Sequence, residues 1–326
     1  MPQYELTVAI PTYNRPKQLK RTLSTVLPQV LAHEDVQLLV LDNCSPVPAF
    51  DILNEVAKGV ALPSRIRVVR HVANIGGNGN ILRCFELAEG EWLWCLSDDD
   101  SPCQDAIETI LSDVRSGTYC YAYYGLNPCV PNVSDMPDGR YVGSTIKEWI
   151  RRIPSYGHRL FISESIFNVA KMRPYMSMAY SVASSGAPHL VMAYCAVSAG
   201  GKYLLSNKQI AAYNIPESGS GYNFAALAYG TTLIRLVAAK GSYLDYKEFF
   251  QESYQDWISP TVIFRHMMTI HKNMPSIALR KNFDVIRVIF TPSLFQYPVK
   301  WVKWFVCGIL SYMPRLGDKL LSKYVK

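Results

Sequence analysis

Short apolar runs alternate with longer amphipathic stretches through roughly the first third of the chain. Leu6-Thr7-Val8-Ala9-Ile10 is apolar and β-branched, stops at Pro11, and predicts a first buried strand. Thr12-Tyr13-Asn14-Arg15-Pro16 follows, where Thr12 or Asn14 suits a helix N-cap and Pro16 a first helical turn. Leu19, Leu23, Val26 and Leu27 then recur at helical spacing. Val36 to Leu41 predicts a second strand, which runs into Asp42-Asn43-Cys44-Ser45-Pro46. Ile66 to Val69 predicts a third, followed by Asn74-Ile75-Gly76-Gly77-Asn78-Gly79-Asn80 and a helix over Ile81 to Ala88. Trp92 to Leu96 predicts a fourth, which empties into Ser97-Asp98-Asp99-Asp100-Ser101 with Pro102 close behind. Strand and helix patterns in this alternation predict an α/β fold built on a parallel sheet.

The pattern then becomes less regular. Asp105 to Val114 predicts a helix and Tyr119 to Tyr124 an aromatic strand, before a loop rich in Pro, Asn and Asp from Asn127 to Gly139. Leu160 to Ser163 reads as a strand with Glu164 at its end and a helix over Ser165 to Met172. Pro188-His189-Leu190 opens an apolar helix that Gly200-Gly201 close. Pro216-Glu217-Ser218-Gly219-Ser220-Gly221-Tyr222 is small and flexible, suited either to closing over a ligand or to linking domains. Residues 224–257 read as two helices broken around Gly241-Ser242.

In parallel α/β sheets, ligands bind outside the carboxyl ends of the strands. Thr12 to Arg15, Asp42 to Ser45, Asn74 to Asn80 and Asp98 to Asp100 all lie at that end. Three adjacent carboxylates repel one another, so the cluster calls for a cation or a network of donors. A dinucleotide fingerprint is excluded, because Gly77-Asn78-Gly79 follows the third strand and lacks the third glycine. No phosphate-binding loop with a Gly-Lys-Ser or Gly-Lys-Thr end is present either. Strand-end acids without a cage of further ligands suit Mg²⁺ or Mn²⁺ shared with substrate phosphates, where the ion offsets the charge of a diphosphate leaving group.

Val8-Ala9-Ile10-Pro11-Thr12-Tyr13-Asn14-Arg15, Leu41-Asp42-Asn43-Cys44-Ser45, Asn74-Ile75-Gly76-Gly77-Asn78-Gly79-Asn80 and Leu96-Ser97-Asp98-Asp99-Asp100 resemble, in order and spacing, the family 2 glycosyltransferases of GT-A fold. The likeness covers about the first 125 residues. It implies a Rossmann-like sheet flanked by helices and a nucleotide-diphosphate sugar donor. It also implies that the first-strand segment, Pro11, Thr12, Asn14 and Arg15, and the second-strand Asp42 meet the nucleoside. Asn74, Gly76 and Asn80 would help hold the nucleotide, and Asp98 with Asp100 would take the ribose and the diphosphate-bound metal. The register could instead be Asp98 with Asp99, so all three acids are candidates. Members of the family commonly carry a Glu-Asp pair at the start of a later helix, whose Asp deprotonates the acceptor hydroxyl. Here that place reads Ala187-Pro188-His189, with no acid. His189 in a first helical turn would be kept neutral by the helix dipole and could act as the base. Glu164 and Glu217, each ending an apolar run, are the alternatives.

Composition adds two constraints. The 326 residues are 49% hydrophobic and 18% charged, as in an ordinary globular chain with an apolar bias. Eight cysteines stand without a Cys-x-x-Cys pair or a zinc spacing, and the amino terminus enters a strand without a secretory apolar segment, so a reducing, cytoplasmic setting is expected. His266 and His271 are off a common helix face, and no metal site is expected there. From Arg280 onward nine basic residues face two acidic ones, a difference equal to the whole formal excess of +7. Val299 to Met313 carries Lys300 and Lys303 beside Trp301, Trp304, Phe305 and Ile309, too short and too charged to span a bilayer. Arg315 to Lys326 repeats the pattern. Such helices suit a membrane interface rich in anionic lipid, or else pack on the catalytic domain or a second copy.

These readings converge on a GT-A domain over residues 1–222, with a donor half (1–125) and an acceptor half (126–222), and a helical region over 223–326 whose basic tail begins near residue 295. The expected activity is metal-dependent, inverting transfer of one hexose or deoxyhexose to a saccharide acceptor. The acceptor would be lipid-linked, at the inner face of the plasma membrane, in bacterial O-antigen or capsule assembly. The Pro-His helix start is similar to that of enzymes adding deoxyhexoses. The Gln-x-x-Arg-Trp motif of processive synthases is missing, hence one sugar per acceptor. No nucleic acid partner is expected. A nucleotidyltransferase acting on a sugar phosphate, or a non-catalytic sugar-nucleotide or lipid-binding scaffold, are the alternatives.

Overall fold

A computed structural model describes residues 2–125, 139–153, 159–183 and 188–212, with isolated residues between Val302 and Leu316. The chain divides into two compact units, and the one described here comprises Met1–Ile153, Gly157–Ala183 and Ala187–Ser220. The expected loops at 127–138 and 216–222, the helices of 224–257, the histidines near residue 270 and Glu217 lie outside the described residues.

The core is a sheet of eight strands. β1 (Tyr4–Thr12), β2 (Val36–Asp42), β3 (Ile66–Arg70) and β4 (Gly90–Cys95) pair in parallel in the order β3-β2-β1-β4. Strand order therefore reverses between β1 and β4, which is where such sheets leave a crevice. β2 is buried at every position, as a strand covered on both faces must be. β4 alternates: Trp92 and Trp94, with Leu96 just beyond the strand, enter the cluster formed with α1 (Pro16–Ala32), α2 (Ala49–Ala57) and α4 (Ala106–Arg115). Leu93 and Cys95, also fully buried, point the other way. α3 (Gly77–Leu87) contacts β1, β2 and β4.

Beyond β4 come β5 (Ser101–Pro102), β6 (Tyr121–Tyr123), β7 (Arg140–Gly143), α5 (Ile146–Arg152), β8 (Ser165–Asn168) and α6 (Val169–Met172). α7 (Met176–Ser181), α8 (Pro188–Ser198), β9 (Tyr203–Ser206) and β10 (Ala211–Ala212) complete the described unit. The sheet continues β4-β8-β6-β9-β7, with β8 antiparallel to both β4 and β6. β10 pairs with β5 and so fastens the chain just after the acidic triplet. Among the described residues, no helix is long and apolar enough to cross a membrane.

Several boundaries differ from the sequence pattern. Neither Thr12 nor Asn14 caps α1. Arg15 holds the cap position without a side-chain bond, and Pro16 takes the first helical place. α3 starts at Gly77, before the expected Ile81, so the Asn/Gly segment forms its first turn. The expected strand at Leu160 to Ser163 is instead an approach ending in a 3-10 turn, Ile162–Glu164, and the strand begins at Ser165. The slot between β4 and β6 decides this register, since it takes Ser165, Ile166 and Phe167 in complete burial, with Ile166 opposite Trp94 and Ser165 opposite Tyr123. The helix expected over Ser165 to Met172 is accordingly only Val169–Met172, capped by the Asn168 side chain, which accepts from the Lys171 amide.

Candidate active site

β1 and β4 part company at Pro11. Pairing between them runs to Ala9 opposite Cys95, with the Leu96 amide donating to the Ala9 carbonyl at 2.9 Å. Pro11 offers no amide to a neighbour, and the strand turns away carrying Thr12. Opposite stand the acids. The Thr12 hydroxyl donates to Oδ2 of Asp98 at 2.6 Å. Arg15 donates to Oδ1 of Asp98 at 3.0 Å and Oδ2 of Asp99 at 2.6 Å. The Ser97 hydroxyl donates to Oδ1 of Asp99 at 2.5 Å. From α1, the Thr22 hydroxyl lies 3.0 Å from the carbonyl of Asp98 and 2.9 Å from that of Asp100, and pins the turn. Asp98 and Asp100 are buried, and Asp99 is partly exposed. Burial pushes the Asp98 carboxyl up to about 6, against the opposing pull of Thr12 and Arg15 and with a smaller push from Asp99.

The second strand end is a frame. Oδ1 of Asp42 accepts the Ser45 amide at 2.8 Å; Oδ2 accepts the Ala49 amide at 3.2 Å and an ion-paired Arg70 nitrogen at 2.9 Å. Asp42 is completely enclosed, opposite Thr12 in β1 and Arg70 in β3. Its carboxylate is thus engaged in holding the start of α2 and the third strand. Asn43, not singled out from sequence, takes the neighbouring place. Its Nδ2 donates to Asn74 Oδ1 at 2.8 Å and its Oδ1 accepts the Ile75 amide at 2.9 Å. Asn74 Oδ1 also accepts the Gly76 amide at 2.8 Å. Gly76 sits at φ 81°, where a side chain would be strained. Asn80 is buried and bonds the Leu41 carbonyl and the His71 ring. Asn14, at φ 53°, is exposed, and its amide donates to the Ser45 hydroxyl at 3.0 Å. Pro11, Thr12, Asn14, Arg15, Asn74, Gly76 and the acids therefore share one rim, with Asn80 beneath it.

Glu164 approaches from the other half of the sheet, near enough for the charge of Asp100 to act on it. Ser163 ties its turn to β4: the Trp94 indole donates to the Ser163 carbonyl at 2.8 Å, and the Ser97 amide to the Ser163 hydroxyl at 2.9 Å. The carboxyl of Glu164 is pushed up to about 7, first by burial and further by the charge of Asp100, while a bond from Tyr123 pulls it down. Gly125, at φ 72°, lies under it, where an added Cβ would stand 2.6 Å from Oε1. Tyr123 and Gly125 escaped the sequence reading, although Tyr121 and Tyr123 share one face of an aromatic strand with period two.

His189 belongs to a later helix. It lies in the first turn of α8, 2% exposed, with its ring edge-on to Phe167 at 6.2 Å. Burial drives the imidazole down to about 4. The Leu160 backbone offsets only part of this, without reaching hydrogen-bond geometry, and neither ring nitrogen has a partner among the described residues.

Hard carboxylate oxygens suit Mg²⁺ or Mn²⁺, and a cation, the Arg15 guanidinium, already bridges Asp98 and Asp99, so the residues fit such an ion. Among the described residues no three His, Cys, Asp or Glu side chains converge as a self-sufficient metal cage, so an ion there needs oxygens from elsewhere, as a diphosphate provides.

A parallel half-sheet whose order reverses beside a carboxylate cluster, extended by strands of mixed direction, defines a GT-A fold. Residues 7–179, more than half of the chain, match the family described as Glycosyl transferase family 2, and the protein belongs to that family. It is 26% identical over 116 residues to abequosyltransferase RfbV of Salmonella typhimurium, covering 36% of this chain and 34% of RfbV. It is 27% identical over 120 residues to TuaG of Bacillus subtilis, named as a teichuronic acid biosynthesis glycosyltransferase, covering 37% and 46%. The matched stretch thus spans less than half the length of these relatives. The fold is similar to that of S. aureus TarS 1-349 in complex with UDP-GlcNAc, with a TM-score of 0.60, 14% identity, and coverage of 95% of this chain and 92% of TarS 1-349. It is also similar to mannosyltransferase PcManGT from Pyrobaculum calidifontis in complex with GDP-Man and Mn²⁺, at 0.54 and 13%, covering 98% and 90%.

Proposed function

We propose that the protein is a metal-dependent, inverting glycosyltransferase that moves one sugar from a nucleotide-diphosphate donor to a saccharide acceptor. The observation that carries this reading is the strand end where Asp98 and Asp99 share one guanidinium nitrogen and to which the turn bearing Glu164 is tied through Ser163. The donor lies across the strand ends, its nucleoside on the rim of Pro11, Thr12, Asn14, Asn74 and Gly76 and its diphosphate at the acids. Asp98, Asp99 and Asp100 would hold Mg²⁺ or Mn²⁺, which would supply positive charge to offset that of the leaving diphosphate. Glu164 takes the proton of the acceptor hydroxyl. The acceptor oxygen bonds to the anomeric carbon while the bond from that carbon to the diphosphate oxygen breaks, and the nucleoside diphosphate leaves with the electron pair. Attack opposite the leaving group inverts the anomeric centre. A base titrating near working pH is the efficient choice. On this reading Asp42 serves by holding the frame around Asn43, and His189, its ring nitrogens without a partner among the described residues, serves packing.

The names of RfbV and TuaG favour bacterial surface polysaccharide as the setting, and the ligands of TarS and PcManGT favour a nucleotide sugar as donor. Residues 1–222 would form the catalytic domain, and 223–326 a separate region that carries the basic tail. Val302, Phe305, Val306, Ile309 and Tyr312 are all exposed, at helical spacing, in the basic tail. That stripe supports docking on an anionic bilayer, with a lipid-linked acceptor.

The full chain, given a panel of sugar nucleotides and saccharide acceptors with Mn²⁺ or with chelator, should release nucleoside diphosphate only with the metal. Pyrophosphate released from nucleoside triphosphates would identify a nucleotidyltransferase instead, and nucleotide binding without turnover a scaffold. Asp100→Ala should lose metal-dependent turnover. A truncation near residue 290 should fail to float with anionic liposomes that carry the full chain.

A further inference from the structure

The place that calls for a metal ion is already held by a charge of the same sign. One guanidinium nitrogen of Arg15 bridges Oδ1 of Asp98 and Oδ2 of Asp99, while the Thr12 and Ser97 hydroxyls donate to the remaining oxygens of the two carboxylates. Every carboxylate oxygen of the pair thus has a donor. The partners differ in how freely they move. Thr12 and Asp98 are 3% exposed, and the turn that bears the acids is fixed by Thr22 from below and by an Arg21 nitrogen 3.3 Å from the Asp99 carbonyl. The Arg15 side chain is 45% exposed and leaves the backbone just before α1 begins. If a divalent ion is to reach these oxygens, Arg15 is the group that yields, because two cations so close to the same pair repel each other. A planar guanidinium released beside a diphosphate has a ready bidentate partner there.

We propose that Arg15 is a placeholder cation: it closes the Asp98–Asp99 pair in the donor-free protein and cedes it to the metal when a diphosphate arrives to receive the guanidinium. Metal and nucleoside diphosphate then bind with positive coupling, each raising the affinity for the other. The inference rests on the reading of Asp98, Asp99 and Asp100 as the metal site, and it adds an order to the binding.

The test follows Mn²⁺ binding to the full chain by electron paramagnetic resonance, first with Mn²⁺ alone and then with UDP or GDP in separate arms. Wild type should take up Mn²⁺ weakly alone and more tightly with the fitting diphosphate. Arg15→Gln should bind Mn²⁺ alone about tenfold more tightly, as expected from removing a like charge at a half-exposed site, and should lose most of the gain from the diphosphate. Arg15→Lys, which keeps the charge, should stay close to wild type. If Arg15→Gln binds Mn²⁺ alone no better than wild type while the diphosphate still promotes binding in both, the placeholder role is overturned and the metal site stands. If no variant binds Mn²⁺ with or without either diphosphate, both readings fall. A circular-dichroism melt of each variant separates these outcomes from loss of fold.

Discussion

The hydroxyl of Tyr123 donates to Oε2 of Glu164 across 2.5 Å, from a strand in which Tyr123 is 1% exposed. A bond to the charged form of an acid favours ionisation, so this contact pulls Glu164 down while burial pushes it up. If Glu164 is the base, kcat/KM rises with pH as its carboxyl ionises, with a midpoint near 7. Tyr123→Phe removes the downward pull alone. The acid limb of the pH profile should therefore move upward by roughly one pH unit, the value of one charge-assisted hydrogen bond. A slower enzyme with an unmoved limb would reduce Tyr123 to a packing residue.

Replacing the acid itself separates catalysis from stability. Glu164→Gln keeps an acceptor for Tyr123 and abolishes proton uptake, so turnover should fall by roughly 10²–10⁴-fold. Stability should move the other way. The folded carboxyl titrates at about 7 against an ordinary 4.5, so the folded state binds more protons than the unfolded one between these values. Wild-type stability from this group is therefore present below about 4.5 and lost as pH rises through 7. At pH 8 the glutamine variant should be more stable by about 2 kcal/mol, with the difference gone by pH 4.5. Melting curves at the two pH values check this, and equal melting at both would mean Glu164 is better solvated than its surroundings imply.

The donor half of the fold was legible because its signals are local. Buried parallel strands show as unbroken apolar runs, and Pro11, the Asp42 cluster and the acidic triplet each mark a strand end within a few residues. What escaped depends on partners distant in sequence. α2 went unread because its start is held by Asp42, seven residues earlier, which accepts the Ala49 amide. The first turn of α3 looked like a loop because glycine is a poor helix former, and Asn43, some thirty residues away, secures it through Asn74. Leu160 to Ile162 and Ile166-Phe167 are alike as apolar runs, and only pairing with Trp94 and Tyr123 chose the second as strand. The placement of Glu164 had the same origin: no local pattern records that Ser163 is bonded to Trp94 and Ser97.

Asp42 gives a prediction that separates frame from contact. In Asp42→Asn the amide nitrogen must face either the Ala49 amide and Arg70 or the Ser45 amide, donor against donor in a fully buried place. Setting an amide donor against buried backbone donors at an enclosed carboxylate, whose Arg70 partner is 40% exposed, costs about 2 kcal/mol, so the melting temperature should drop by roughly 4–8 °C. Nucleotide affinity, measured by calorimetry well below the melting transition, should fall little. The reverse pattern, a normal melt with affinity lost, would mean the carboxylate reaches the nucleoside directly.

His189 and Glu164 make competing claims to the acceptor proton, and one substitution separates them. With two buried nitrogens lacking partners among the described residues, the ring forgoes hydrogen bonds that water would supply. His189→Leu replaces it with a side chain suited to the apolar surroundings of Phe167, and should stabilise the protein by about 1 kcal/mol at pH 7.5. The gain should grow on acidification. The folded imidazole titrates at about 4 against an ordinary 6.5, so wild type loses stability as pH falls through that window and the leucine variant does not. Turnover at pH 7.5 should remain within about threefold of wild type, since the general-base contribution at stake is 10²–10⁴-fold. A variant that melts normally but has lost turnover by more than a hundredfold would return the base to His189 and leave Glu164 as a charge near the leaving group.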